Sequence, residues 1–593
     1  MGSFRLPTSL KNGHLAMPKE PSSRRSLLVS LAAGLPWVAT PRITTAAVQA
    51  PLSSRSVLRL ASTQELATIS VPKHVALVIT DAYESEGDGG GAKWRRVPSS
   101  PESSNTIYDA AGASFALDED IICPEMFGAK GTRGVDDFQA IQSSVRAAAL
   151  GGKRLEFRQK TYFFSGALVV PADVSMFSFV GLGMTDLVQL EDNSSHFYFR
   201  GENTSQWTIS GFRFRWQNNQ TSRDVHSYGI RFDSDRPGGA GHWNFVVERC
   251  AFFNGFRGIG NSHDGAQKPQ SPIWGGTFRD LRADERHSGA LIFLRTWGRA
   301  GQPNNLFDHI YARCDSMVEP AITLETCDTA RISSVEFNRG RGCKLLIEDS
   351  RNTFVQSIRF EEVGLIQIDD SLIHAVGSNT QVDIQNVVAQ SVVLSDKHST
   401  GSKAALSLLL ATEGAQLSIS RFVDPQWRSP AAERIEQFTG TVAVLRADRK
   451  STVSIARVAT LTDPALILID PMISDRCIFP LAEVLRLHLA AGEREASCLV
   501  SRRCTIVRIQ VHRSSRQPQS ALRLTLLKNG NSQRGGNLSI VVTSETASHS
   551  YQMKNACRFD ADELNLNDGD IVSVRVNDAL SDDVRLTITC LSE

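Results

Sequence analysis

The sequence predicts an all-β chain built mainly as a solenoid of parallel strands, and three observations carry that reading. From about residue 185 onward, strand–turn–strand units recur. Asn305 opens NLFDHIYARCDSMVEPAITLETC, Ala330 opens ARISSVEFNRGRGCKLLIEDS, Asn352 opens NTFVQSIRFEEVGLIQIDDS and Thr452 opens TVSIARVATLTDPALILIDP. Each unit has an alternating strand, a turn and a second alternating strand that ends in an acidic residue. Their spacing, roughly 23 to 31 residues, is that of one winding of a coil whose inward column is buried only against its neighbours. A short helix followed at once by strands, between Phe127 and Gly183, supplies a plug for one end. Beyond about residue 480 the pattern changes to short strands separated by turn signals.

The helix follows from its ends and its period. Asp136 offers an N-cap oxygen, with Gln139 three residues on in the capping-box place. Ile141, Val145 and Ala148 recur at helical spacing, and Gly151 and Gly152 stop the run. Leu155 and Phe157, then Tyr162 to Val170, then Val174 to Val180 read as strands with inward alternation.

These residues carry a resemblance. Phe127 to Gly131, Asp136, Asp137, Ala140, Ile141, Gln142, Gly151 and Gly152 match the FGAKGDG–DD–AIQ–A–GG opening of the pectate-lyase-like superfamily. It is similar in particular to the rhamnogalacturonase/epimerase-like branch and to phage tailspike β-helices, departing from them at Thr132 and Arg133. The resemblance implies a single-stranded, right-handed parallel β-helix with an N-terminal capping helix. It says little of substrate, because the motif closes the coil and does no chemistry. The Trp-Ile-Asp-His, Gly-His-Gly and Asp-Pro-His-Glu signatures of the catalytic families are absent, so no catalytic residue transfers by name.

Composition narrows the partners. The chain has 593 residues and a formal net charge of +1, which favours neither nucleic acid nor an acidic membrane surface. No apolar run approaches the roughly 20 residues of a membrane span. Ten cysteines show no C-x-x-C and no zinc spacing, so no metal is expected through sulfur. Cys498, Cys504, Cys557 and Cys590 have the chance to pair if the protein is exported.

Four regions follow in order. Residues 1–50 contain Ser23-Arg24-Arg25-Ser26-Leu27-Leu28 before an apolar run to Val38. That resembles a twin-arginine export signal; a disordered or particle-attachment arm is the alternative. Residues 51–122 form a small β-rich N-terminal region, where the glycines of GDGGGAKWRRV permit a tight turn over Trp94. The solenoid occupies 123–478, with windings beginning near Trp207, Phe245, Phe278, Val382 and Leu417 as well as those above. Residues 479–593 read as a jelly-roll-like β-sandwich, with turn signals at Lys528-Asn529-Gly530 and Asn567-Asp568-Gly569-Asp570.

Stacking the windings places side chains in columns about 4.8 Å apart. Ile322 and Leu324, Leu345 and Ile347, and Ile366 and Ile368 face inward. Glu325, Glu348 and Asp369 then share an outward column, with Asp349 and Asp370 beside it. Neighbouring carboxylates repel, so one holds its proton to higher pH, giving an acid and a base together. One rung suits a retaining glycosidase pair; two rungs approach the inverting separation. A solvated acidic ridge or a calcium site is the bland alternative, and calcium is the one cofactor considered.

A second constellation follows the first strand of each winding: Asp284 and Glu285, Arg313 and Asp315, Arg339 and Arg341, Glu361 and Glu362. Arg313 and Arg339 are candidates for binding a uronate carboxylate beside the bases Asp284, Glu285 and Glu361. A ladder of surface ion pairs is the alternative, and Glu336 with Arg359 reads as one such pair. Trp243, Trp274, Trp297 and Tyr311 are candidates to stack on sugar faces. Trp216 falls in the same third of the chain, and His263-Asp264 is a weaker base candidate. The expected function is an exported protein that binds and cleaves an acidic polysaccharide, as lyase or glycoside hydrolase. The rival is a tailspike-like or surface polysaccharide-binding protein without catalysis, located on a phage tail, and the tailspike resemblance implies a homotrimer.

Overall fold

The computed structural model describes residues 56–426 except 99–105, 202, 234–240, 262–271, 285, 296–300, 341, 366–370, 391–392 and 395–404, and strand segments with a few adjoining residues between 441 and 592. The first described unit is a five-stranded sheet from Val57 to Leu117, mostly antiparallel, with Val57–Ser62 parallel to Leu77–Ala82. Trp94, on the sheet's own strand Ala92–Val97, is buried and donates its indole N–H to Thr80 Oγ1 at 3.3 Å.

The capping helix runs Phe138–Gly151 and ends on Gly152 in the left-handed region, φ 61°, whose N–H returns to the last turn. Ile141, Val145 and Ala148 are all buried. The start differs from the sequence reading by one residue. Asp137 is the N-cap and makes no capping bond through its side chain; its carboxylate instead accepts from the backbone N–H groups of Lys130 and Gly131 at 2.8 and 2.9 Å. Asp136 accepts from Phe138 N and Ser165 N. Gln142 exchanges two hydrogen bonds with the backbone of Val169, at 2.9 and 2.7 Å. The two aspartates therefore tie the FGAKG loop and the end of the strand Thr161–Phe164 to the helix.

Two long parallel sheets, of sixteen and eleven strands, form the coil. In the larger sheet Leu155, Phe179, Ile209, Val247, Phe278, Phe307, Ile332, Val355, Ile384 and Ile419 form one inward column by strand register. In the other, Leu168, Phe197, Ile230, Ile259, Ile292, Ile322, Leu345, Ile373 and Leu409 do the same. All of these side chains are buried. Each therefore removes the area of a large apolar side chain from water, worth about 1.5–3 kcal/mol apiece. Aromatic rings continue the stacking, with Trp207 and Phe245 at 4.2 Å and Phe278 and Phe307 at 5.0 Å between centroids.

One inward column was misassigned in a single winding. The partner of Leu345 is Ile373, not Ile366, and the partner of Glu348 is Val376. This winding takes 28 residues from Glu348 to Val376, against 23 from Glu325 to Glu348. The additional length begins at Gly364–Leu365, which pairs separately with Val393–Leu394. Ile366, Ile368, Asp369 and Asp370 lie outside the described residues.

Beyond the coil, strands from Ala482 to Ser592 form two antiparallel sheets of five and four strands. Cys498, Cys504 and Cys590 are on these strands and Cys557 lies outside the described residues. Among described residues, Cys123, Cys250, Cys314, Cys327 and Cys343 form no disulfide. Burial pushes Cys123 and Cys250 up to about 12, so both stay protonated and unreactive.

Candidate functional site

Four successive strands of the eleven-stranded sheet, ending at Glu325, Glu348, Val376 and Thr412, each end at a corner with a repeated cause. The residue after the strand takes a left-handed conformation in successive windings: Thr326 at φ 55°, Asp349 at 46°, Gly377 at 97° and Glu413 at 61°. At Gly377 a β-carbon would come within 2.3 Å of Asp349 Oδ1, so only glycine fits. Thr326 is β-branched, and such residues rarely adopt this region. Its hydroxyl bonds the carbonyl of Glu325 at 2.7 Å. The residue before the corner, at the strand end, stands outward on its winding.

That outward column holds Glu325 and Glu348 as direct register partners. Continuing the pairing of Leu294 with Leu324 puts Arg295 one winding earlier in the same column. The Arg295 guanidinium spans both carboxylates, donating through Nε to Glu325 Oε2 at 2.6 Å and through Nη2 to Glu348 Oε2 at 3.3 Å. The three side chains are 27%, 14% and 30% exposed for Arg295, Glu325 and Glu348. Burial raises the Glu348 carboxyl above the ordinary glutamate value, and the negative charges of Glu325, Asp349 and Glu413 add to this against the opposing charge of Arg295. Glu325 is thus held more closely by the cation, while Glu348 keeps its proton to higher pH than an ordinary glutamate.

Thr323 stands two residues before Glu325 on the same outward face, yet is 1% exposed. Its hydroxyl has no hydrogen-bond partner among the described residues. A buried hydroxyl left unmatched costs about 1–3 kcal/mol, so this group has unspent capacity beside the carboxylates.

The same corner carries aromatic rings in earlier windings. A third, three-stranded sheet pairs Thr204–Ser205, His242–Trp243 and Ile273–Trp274. His242 is buried, bonded to Thr204 Oγ1 at 2.6 Å, while Trp243 and Trp274 are half-buried and stacked at 6.1 Å with planes 29° apart. Backbone bonds from Asn244 to Trp274, Gly275 to Pro303, Asn304 to Asp328 and Thr329 to Arg351 continue this corner along the coil. Trp274 donates its indole N–H to Gly301 O at 2.7 Å, and the neighbouring Gln302 amide donates to Glu325 O at 3.0 Å. The tryptophan pair and the carboxylate pair thus share one edge of the coil.

The second constellation lies at a different corner, after the strands of the larger sheet, and is largely internally neutralised. The register column is Arg313, Asn338, Glu361 and Gln390, so Arg339 does not stack on Arg313. Arg313 pairs with Asp315 at 2.8 Å and Arg339 with Glu362 at 3.0 Å. Arg359 is the register neighbour of Glu336, but its guanidinium reaches Gln390 at 2.7 Å and Glu361 at 3.8 Å. Asp284 follows the strand Thr277–Ala283 at this corner. Tyr311 packs under Arg282, with the guanidinium 5.2 Å from its ring centroid. Trp216 is a core residue, 2% exposed. Glu285, Trp297, His263 and Asp264 lie outside the described residues. Among the described residues no group of three or more His, Cys, Asp or Glu is placed to hold a metal ion, and no helix is long and apolar enough to cross a membrane.

Arg295 was missed by the sequence reading although its signal was present. LIFLRT has the alternation of AITLET and KLLIED, with arginine in the glutamate position.

No protein-family model matches the chain, and no curated protein sequence matches it. Solved structures do. The enzymatically active domain of bacteriophage CBA120 tailspike protein 2 matches with a TM-score of 0.51 and 13% identity, over 90% of this chain and 86% of that one. The corresponding domain of CBA120 tailspike protein 4 matches with a TM-score of 0.40 and 9% identity, over 90% and 75%. The Azotobacter vinelandii mannuronan C-5 epimerase AlgE4 A-module matches with 0.37 and 14%, over 61% and 100%. Of these three, the first alone superposes well enough to support a conclusion, and at that identity the conclusion is the fold. The chain is a right-handed parallel β-helix of the kind found in phage tailspikes.

Proposed function

We propose that this protein binds a polysaccharide along the corner edge of its coil and hydrolyses it with Glu325 and Glu348, outside the cell that makes it or as part of a phage tail. The observation that carries this reading is the in-register carboxylate pair under one guanidinium, on the same edge as the stacked Trp243 and Trp274. Pyranose rings have apolar faces suited to such rings, and the fold neighbour is itself described as an enzymatically active tailspike domain.

Paired strands set the two glutamates one rung apart, about 4.8 Å. That backbone spacing is close to the carboxyl separation of about 5–5.5 Å used by retaining glycosidases. Glu348, whose proton is favoured, gives it to the glycosidic oxygen. Glu325 attacks the anomeric carbon as the carbon–oxygen bond breaks, and the bond's electron pair goes to the leaving oxygen. A water molecule, deprotonated by Glu348, then displaces Glu325. Arg295, bonded to both carboxylates, keeps the two side chains aimed outward. The step needs no cofactor.

The test is incubation of purified protein with a panel of bacterial and plant polysaccharides, following new reducing ends and the ultraviolet absorbance of unsaturated uronates. Reducing ends without absorbance, lost in Glu348→Gln and in Glu325→Gln, are expected. Absorbance would mean elimination and overturn the hydrolytic assignment. The rival reading, binding without cleavage, is favoured by the Arg295 contacts, which also make a stable ion cluster. Binding to a polymer with no product from any of the panel would establish it.

A further inference from the structure

Across the same corner, where the next strands of the larger sheet begin, lies a groove of about 540 Å³. Its floor is an outward column of register partners, Leu306, Arg331 and Phe354. Leu306 and Phe354 are 37% and 45% exposed, unusual for side chains of their size. Thr329, Ser333, Asn352 and Gln356 add polar groups to the rim. The central feature is Arg331. Unlike Arg295, Arg313, Arg339 and Arg359, it is exposed and has neither an ion-pair partner nor a side-chain hydrogen bond among the described residues.

We infer that this groove is a subsite for an acidic sugar unit, in which Arg331 takes the carboxylate of a uronate and Leu306 and Phe354 lie against the apolar faces of the ring. The inference deepens the proposed function, on which it rests, by naming the chemical class of the polymer. Three features of the groove select this occupant. A planar guanidinium meets a carboxylate with two parallel N–H donors, a geometry an uncharged sugar cannot use. The flanking exposed apolar residues suit a pyranose, whose ring carries both polar edges and apolar faces. The groove is also continuous with the corner that bears Glu325 and Glu348: Thr329 and Asn352 line it, four residues beyond the respective glutamates. A chain crossing the corner would therefore place one unit on Arg331 and a nearby linkage at the carboxylates. The acidic groups in the neighbourhood do not neutralise it. Asp308 is occupied by Ser333, Asp328 accepts from the backbone of Arg351, and Asp383 lies one winding beyond Phe354.

The experiment is calorimetric titration of the full chain carrying Glu348→Gln, so that no probe is consumed, with hexagalacturonate, hexamannuronate and the uncharged maltohexaose and cellohexaose. At least one uronate hexamer should bind at least tenfold more tightly than both neutral hexamers, with affinity falling as salt rises. Arg331→Gln should remove that preference, Phe354→Ala should weaken binding of the hexamer about tenfold, and Arg158→Gln, exposed near the capping helix, should change nothing. Equal binding of charged and neutral hexamers, an unaffected Arg331→Gln, or no binding of either uronate hexamer would each overturn the inference. Failure of the hydrolytic reading appears separately, as absence of cleavage by the unsubstituted protein while the uronate preference persists.

Discussion

Removing the cation of a buried ion pair should destabilise the strand that leads into Arg295. Arg257 is 7% exposed and donates to Glu319 through Nε and Nη2 at 3.0 and 2.6 Å, and to the Tyr228 hydroxyl through Nη1 at 2.6 Å. Its guanidinium also sits 3.8 Å from the ring centroid of Phe293, on the strand Ile292–Leu294 that leads directly into Arg295. Arg257→Met leaves a carboxylate in a largely desolvated place, which costs about 3–5 kcal/mol. Glu319 keeps a side-chain exposure of 21%, so the lower end of that range is expected. Replacing both members, Arg257→Met with Glu319→Leu, removes the orphaned charge and should recover most of the loss. A coil of windings need not unfold in one step, so the measurement should be local. Hydrogen exchange of Arg257–Asn261 and Ile292–Leu294 reports it: about 3 kcal/mol less protection in the single variant and about 1 kcal/mol less in the double. Equal loss in both variants would show that the charges are not coupled and refute the reasoning.

Other predictions follow from the same geometry. Trp274→Ala should weaken glycan binding about tenfold, roughly 1.4 kcal/mol, with little change in melting temperature, whereas Trp216→Ala should destabilise the coil by about 3–5 kcal/mol without a specific loss of binding. The raised carboxyl of Glu348 makes the folded state hold a proton that the unfolded chain has released; that stability is present below the unfolded value and lost as pH rises through the folded one. Glu348→Gln should therefore melt higher than the unsubstituted protein at neutral pH and equally well at pH values well below the ordinary glutamate range; the opposite order at neutral pH would contradict the assignment. Asp137→Ala loses two charge-assisted bonds to Lys130 and Gly131 and should cost about 3 kcal/mol, read as faster exchange of those two amides.

What was legible in the sequence is what repeats with short period. Inward alternation identifies Ile322 with Leu324 and Leu345 with Ile347 because every second side chain must be apolar, and Glu325 and Glu348 follow from the same count. Asp369 was misplaced because LIQIDD imitates a strand of the eleven-stranded sheet, while the register shows that the winding is longer and uses SLIHAV. Alternation alone carries no information on inserted length. Arg295 holds the glutamate position of its winding with the opposite charge, so charge sign hides what alternation places there. The capping helix was located from its period, but two adjacent aspartates gave no local means of telling which one begins it. Arg331 has no sequence signal at all. Its distinction is the absence of a partner among the described residues, whereas Arg313 and Arg339, more prominent in the sequence, prove to be occupied.

The most direct test of the central claim is a crystal structure of the Glu348→Gln variant with a bound oligosaccharide product or substrate. The account predicts sugar density along one edge, passing Trp274 and placing a glycosidic oxygen between Glu325 and the substituted position. Sugar seated instead at the far corner around Arg313 and Glu361, with the Glu325 edge empty, would contradict it.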